Sequence, residues 1–338
     1  MVREFRLFAR PALKAVYGIA SRRILIEADD AWSAEAVADL FNGWFLNPLA
    51  INGGPPPDVT MEIRCGIPSS RIPDGLFEFE IPQDGVCYTD GSTLYLDFNG
   101  SRVVVGPGSA SDIHIWVKQK YDFGSPVLAQ IISQAFSAGL RRSGLFEFHS
   151  AGLVPPGQDK AVLIAGGSGS GKSTLTLQLA ACGWRFLSDD TLLLEKSDHG
   201  IDVHALRKFF ALTRDTITAM RLAQLKPALA TGTLKGRVIP LDLFPEGQIQ
   251  CSRPGAIFFP TISYQAESRI QKLTAAETMG RLLRLCPWAA YDKPTADEHL
   301  SVLTALAREC AAFELLAGTD LLEDQTRAAN LCLNEAKA

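Results

Sequence analysis

Residues 166–174 read Gly-Gly-Ser-Gly-Ser-Gly-Lys-Ser-Thr, the stretch whose residue types and spacing best fit a defined chemistry. The pattern G-x-x-x-x-G-K-[ST] places Gly166, Gly171, Lys172 and Ser173 at its fixed positions, while Gly167, Ser168, Gly169 and Ser170 fill the loop and Thr174 follows it. Glycines let successive backbone N–H groups turn inward around phosphate oxygens, in conformations that side chains forbid. A helix starting at Lys172 would point its positive end at the same anion. Lys172 would then reach the outer phosphates of a nucleoside triphosphate, and the Ser173 hydroxyl would serve a bound Mg²⁺.

A second candidate follows at Ser188-Asp189-Asp190. The pair is expected at a strand end or tight bend, with only one of the two carboxylates facing the phosphates. Such a carboxylate would hold Mg²⁺ or accept the proton of an attacking hydroxyl. The spacing alone equally allows a solvated turn. His149 ends the alternating segment Leu145-Phe-Glu-Phe-His, where the plain reading is a buried structural histidine.

These residues need elements to hold them. Residues 160–165, Lys-Ala-Val-Leu-Ile-Ala, read as a buried strand ahead of the loop. Behind it, a run free of Gly and Pro until Gly183 reads as a helix closed by a glycine. Strand, glycine loop and helix is the arrangement the motif requires.

Residues 149–195 resemble the nucleotide-binding core of HPr kinase/phosphorylase and its relatives. In that family a histidine, a short strand and turn, a G-x-S-G-x-G-K-S loop, a helix, a glycine and an Asp-Asp pair follow one another. Here these are His149, residues 166–173, Gly183 and Asp189-Asp190. The resemblance implies an α/β P-loop domain, ATP and Mg²⁺ as cofactors, and Asp190 as general base, assisted by His149 and Lys172. Metal binding would fall to Ser173 and Asp189. The family's downstream Glu-x-Arg-Gly element is missing. The nearest stretch, residues 234–244, has Gly236-Arg237 but no glutamate in place, and nothing selects Asp202, Asp215 or Asp242 as a substitute. That argues against HPr itself as the acceptor.

Other nucleotide-binding classes fit less well. The chain carries no Leu-Ser-Gly-Gly-type transporter signature and no Asn/Thr-Lys-x-Asp guanine reader. The glycine loop and His-Arg-Asp motif of eukaryotic protein kinases are also missing.

At 338 residues, 47% apolar and 21% charged, the chain is long enough for two well-cored domains. A net charge of −4 gives no general attraction for nucleic acid. Seven scattered cysteines without a Cys-x-x-Cys pair read as reduced thiols of a cytoplasmic protein. No apolar run reaches the length of a membrane span. Arg3, Arg6, Arg10 and Lys14 interrupt the apolar N-terminus, which reads as an exposed basic edge rather than an export signal.

Residues 1–124 form the expected first domain, a smaller α+β module of mostly antiparallel alternating strands and one helix over 34–45 with Ser33 as its cap. Asp112, His114 and Trp116 alternate on a further strand, where a satisfied histidine is the simplest reading. Residues 125–338 form the expected catalytic domain, beginning with a helix over 125–142. Further on, Arg207, Lys208, Arg214, Arg237, Arg253 and Arg269 are cations that sequence alone does not rank. A capping box at Thr274 and Glu277 starts a helix through Leu285, and residues 322–336 close the chain as a helix.

The expected activity is transfer of the ATP γ-phosphoryl group to a hydroxyl, serine first, of a protein or peptide acceptor other than HPr. A kinase of a small hydroxylated metabolite and a nucleotide-binding regulatory module without transfer stand as alternatives. The first domain is the expected acceptor or partner recognition unit, and a homo-oligomer stays open.

Overall fold

The computed structural model describes residues 13–68, 71–82, 84–107, 111–220 and 235–337. Arg3, Arg6 and Arg10 therefore lie outside the described residues. The fold is mixed α/β and divides into two compact units. One runs to Ser143 and takes in Tyr291–Thr295; the other holds Gly144–Ala290 and Ala296–Ala338. The helix following residue 125 thus falls in the first unit, whereas the sequence reading grouped it with the catalytic region.

The first unit is built on β1 (Leu13–Ile19), β2 (Arg22–Ala28), β3 (Asn47–Leu49), β4 (Val59–Cys65), β5 (Phe77–Ile81), β6 (Gly85–Thr89), β7 (Leu94–Phe98), β8 (Ser101–Val105) and β9 (Ser111–Val117). They form one sheet in the order β3-β1-β2-β4-β9-β8-β7-β6-β5. The β2–β4 and β4–β9 pairs are parallel and the others antiparallel, so the sheet is mixed. Alternating side chains bury one face, as in Leu94, Leu96 and Phe98 of β7.

Two helices, α1 (Ala31–Asn42) and α2 (Pro126–Arg142), pack on that sheet. The α1 cap is Asp30 rather than Ser33: its carboxylate accepts from the Ser33 amide at 3.1 Å and from the Ser33 hydroxyl at 2.7 Å. The helix consequently starts earlier than its apolar spacing suggested. Close approach of α2 requires Gly139, where a Cβ would stand 2.6 Å from Val59 Cγ1. Arg141 and Arg142 at its end pair with buried Asp292 at 3.2 and 2.9 Å, fastening Tyr291–Thr295 into this unit. His114 is satisfied by Glu62, its Nδ1 3.2 Å from Oε2, and its ring tilts against Trp116.

The second unit contains β10 (Leu145–Phe148), β11 (Ser150–Val154), β12 (Lys160–Ala165), α3 (Lys172–Ala181), β13 (Arg185–Ser188), β14 (Leu192–Ser197) and β15 (Gly200–Ala205). A ribbon of β16 (Phe210–Thr213) and β17 (Lys235–Val238) flanks α4 (Arg214–Ala219). Residues 221–234, between α4 and β17, lie outside the described residues. After these come β18 (Cys251–Ile262), β19 (Arg269–Lys272), α5 (Ala275–Leu285), α6 (Trp288–Tyr291), α7 (Lys293–Glu309), β20 (Ala311–Ala317), α8 (Asp320–Glu323) and α9 (Gln325–Lys337). Thr274 and Glu277 form the expected capping box of α5, and the closing helix is split at Asp324 into α8 and α9.

The main sheet runs β10-β14-β15-β18-β12-β11-β13, with β20 on β18 and β19 on β20. Its centre is parallel: β12 with β18, and β18 with β20. Both neighbours of β11, namely β12 and β13, are antiparallel to it. One edge of the sheet therefore gathers the ends of β20, β18, β12 and β13 and the start of β11. Leu175, Leu179 and Ala180 of α3 join Leu153, Ile164, Phe186, Phe258 and Phe313 of the strands and Ala328 and Cys332 of α9 in one core. Each large apolar side chain buried there contributes about 1.5–3 kcal/mol. This core holds the strand–loop–helix segment rigid.

Candidate active site

The loop of residues 166–171 connects buried β12 to α3 at the gathered strand edge. Gly169 and Gly171 have φ of +80° and +94°, values that L side chains rarely adopt, so glycine is required at both. Gly171 caps α3, and no side chain caps the helix. Its first amides have no intrahelical partners and are donors suited to an anion. At Gly166 a Cβ would stand 2.7 Å from Ser170 Oγ and 3.2 Å from its Cβ, so a side chain there would force Ser170 to move.

Lys172 is buried, with 6% exposure, although it carries a cation. Its Nζ donates to the carbonyls of Gly166 at 2.5 Å and Gly167 at 3.1 Å, and lies 3.2 Å from His149 Nε2. His149 sits between β10 and β11, and its Nδ1 is 3.4 Å from Asp190 Oδ1. Asp190 lies in the bend that joins β13 to β14; its Oδ2 accepts from Arg207 Nη1 at 2.9 Å and from Thr191 Oγ1 at 3.3 Å. Lysine, histidine, aspartate and arginine thus form one continuous polar chain. Spacing alone allowed a merely solvated turn for the Asp pair and a core position for His149; the structure sets His149 between Lys172 and Asp190.

The two aspartates differ sharply. Asp189 is buried, with 1% exposure, and its Oδ2 accepts from the Ala211 amide at 2.8 Å. Its Oδ1 has no hydrogen-bond partner among the described residues. Burial, with the neighbouring charge of Asp190 adding to it, pushes the Asp189 carboxyl up from 3.8 to about 7. Hydroxyl and carboxylate oxygens are the donors Mg²⁺ takes. Ser173, half-buried at the second position of α3, and the orphaned Oδ1 of Asp189 fit that chemistry. Among the described residues no cluster of three or more His, Cys, Asp or Glu side chains could hold a metal.

Gly167, Ser168 and Gly169 are the exposed tip of the loop, and Ser170 is half-buried behind them. Thr174 turns away from the loop: its hydroxyl meets Thr216 Oγ1 at 3.1 Å, and Thr213 Oγ1 meets Thr216 at 3.0 Å. This ties the start of α3 to the start of α4. Thr174 was expected among the nucleotide-binding residues of the loop; the sequence reading did not single out Thr213, the Thr216 hydroxyl or the Ala211 amide, and no motif marks them. Arg207 was one of six unranked cations; contact with Asp190 now distinguishes it. Arg237 lies over the Phe209 ring at 4.7 Å, and Arg253 lines a cavity with Lys160, so neither repeats that role.

No family model and no curated protein matches the chain. Among solved structures, the HPr(Ser) kinase/phosphatase from Coxiella burnetii is similar with a TM-score of 0.29 and 15% identity, over 56% of this chain and 97% of that chain. At that score the likeness carries no conclusion about this chain. No helix among the described residues is long and apolar enough to cross a membrane.

Proposed function

We propose that this protein is an ATP-dependent phosphotransferase that moves the γ-phosphoryl group to a hydroxyl of a protein or peptide acceptor, serine by preference. One observation carries the reading. Lys172, held by the carbonyls of its own glycine loop, contacts His149, which in turn contacts Asp190. A phosphate-binding loop alone would serve a nucleotide switch as well. A carboxylate connected to that loop through a histidine is what proton removal from an acceptor needs.

In this reading the loop amides and Lys172 gather the phosphate charge; Ser173 and Asp189 would hold Mg²⁺, which would supply further neutralisation. Asp190 accepts the proton of the attacking hydroxyl. His149 bridges Lys172 and Asp190 and keeps both side chains in register. Arg207 fixes the Asp190 carboxylate from its other oxygen. Positioning and electrostatics then supply most of the rate, as phosphoryl transfer requires.

The test is label transfer from γ-labelled ATP, with Mg²⁺ and a lysate of the source organism, beside Lys172→Ala and Asp190→Asn. A labelled species lost in both variants supports the kinase and identifies its acceptor. Loss of a general base costs about 10²- to 10⁴-fold in rate. Label that survives Asp190→Asn at full rate would refute the assignment. ATP binding without variant-sensitive label, in a lysate containing the acceptor, would favour the regulatory module.

A further inference from the structure

Two exposed apolar residues stand at the end of β18 beside the loop: Ile262 (43% exposed) and, just beyond it, Tyr264 (86%). They stand where β18 and β20 end, and the register puts Thr261 opposite Leu316 and Ile262 opposite Ala317. Because β18 is parallel to β12, its end reaches the level of the glycine loop: Ile164 pairs with Phe258, four residues before Ile262. The two lie close together, since a Cβ added at Gly171 would stand 3.6 Å from Ile262 Cγ1.

The segment carrying Tyr264 is fastened rather than loose. Ser263 N–H donates to Ala317 O at 2.9 Å, and Thr319 N–H to Gln265 O at 2.8 Å. Asp320 accepts from Ser268 Oγ at 2.5 Å, from the Ser268 amide at 3.1 Å and from Arg327 Nε at 2.9 Å. The backbone of Gly318 lies so close that a Cβ there would meet Gln265 O at 2.7 Å. Gln178 of α3 donates to Leu321 O at 2.5 Å, joining the helix that begins at the loop to the α8 turn behind this segment. Within this rigid frame Tyr264 is held at φ +53°, a left-handed conformation unfavourable for an aromatic residue. Its ring stacks on no other aromatic ring among the described residues.

The order along the edge then becomes informative. Strand β20 ends at Ala317; β18 ends at Ile262, two residues before Tyr264; β12 runs into the glycine loop; β11 begins after His149; and β13 ends at Ser188, before the Asp189-Asp190 pair. A triphosphate with its terminal phosphate toward Asp190 and its chain on the loop amides must send its nucleoside the opposite way. We infer that Tyr264, floored by Ile262, is the platform on which the nucleobase of the bound nucleotide stacks. This rests on the phosphate-binding reading of the loop given above. An aromatic side chain has only two rotatable bonds, so Tyr264 on its fastened backbone loses little freedom when a planar base settles on its ring. It would take purines in preference to pyrimidines, because the larger ring covers more of the face.

Equilibrium binding of ATP and of inorganic tripolyphosphate to the whole protein tests it, with Tyr264→Ala and Tyr264→Phe. Tyr264→Ala is expected to weaken ATP about tenfold and leave tripolyphosphate unchanged, with Tyr264→Phe binding ATP as the parent does. Retained ATP affinity in Tyr264→Ala, with tripolyphosphate still bound, overturns the platform and leaves the phosphate reading intact. Tyr264→Ala that slows acceptor labelling without changing ATP affinity also overturns it, and assigns the shelf to the acceptor. Failure of the parent to bind either probe removes the phosphate reading and the platform with it.

Discussion

Asparagine at position 189 removes a buried charge but keeps an oxygen for the Ala211 amide, which donates to Asp189 at 2.8 Å. The carboxyl is pushed from 3.8 to about 7, chiefly by burial. The folded protein therefore holds a proton there more tightly than the unfolded chain does. Wherever the folded state binds more protons, stability falls as pH rises, so the loss accumulates between about pH 4 and 7 and levels off above. Taken at about 1.4 kcal/mol per pH unit, that interval caps the loss at about 4 kcal/mol. Relaxation around the ionised group makes about half of that a fair expectation. Urea unfolding without Mg²⁺ at pH 4.5, 6 and 8 measures it. Asp189→Asn should gain about 2 kcal/mol or more over the parent as pH rises from 4.5 to 8, with little difference at the acid end. A stability difference between the two proteins that stays flat across this range would refute the burial argument. So would a parent that gains on the variant as pH rises.

Other predictions follow from the same structure. Asp292→Asn leaves Arg141 and Arg142 buried against a neutral partner, and thermal unfolding should show a loss of about 3–5 kcal/mol, the size expected when a buried pair loses one charge. Gly318→Ala drives a Cβ into the backbone at Gln265 and Glu267, at 2.7 Å from each. It should cost about 1–3 kcal/mol and raise hydrogen exchange at residues 263–268. Arg207→Ala, leaving Asp190 to Thr191 and His149, should lower the phosphotransfer rate while ATP affinity holds, and kinetics at saturating ATP will show it. Gly166→Ala meets Ser170 Oγ at 2.7 Å and should weaken tripolyphosphate and ATP equally, read by the same binding assay.

Local chemistry was legible in the sequence because the requirements of a phosphate loop are themselves local. Glycines that supply positive φ at 169 and 171, a lysine next to the helix start, and a buried run before them sit within a few consecutive residues. Capping at Thr274 and the alternation of most strands were visible for the same reason. The α1 cap was misplaced by sequence, since Asp30 and Ser33 are both good capping residues three positions apart and only backbone geometry decides between them.

Long-range pairing was hidden. Whether strands lie parallel or antiparallel depends on which segments meet, so β2, β4 and β9 gave no sign of their parallel order. Residue spacing left His149 as a core histidine and left Arg207 among six equivalent cations. Only the antiparallel placement of β11 between β12 and β13 brings His149, Lys172 and Asp190 within hydrogen-bonding reach. The two neighbouring aspartates, identical in type, were separated by burial and by partners: Asp189 faces the Ala211 amide and Asp190 faces His149 and Arg207. Sequence determined which groups this protein possesses, because motif residues are neighbours in the chain. Tertiary structure decided which of them act together, because contact, burial and charge depend on distance in space.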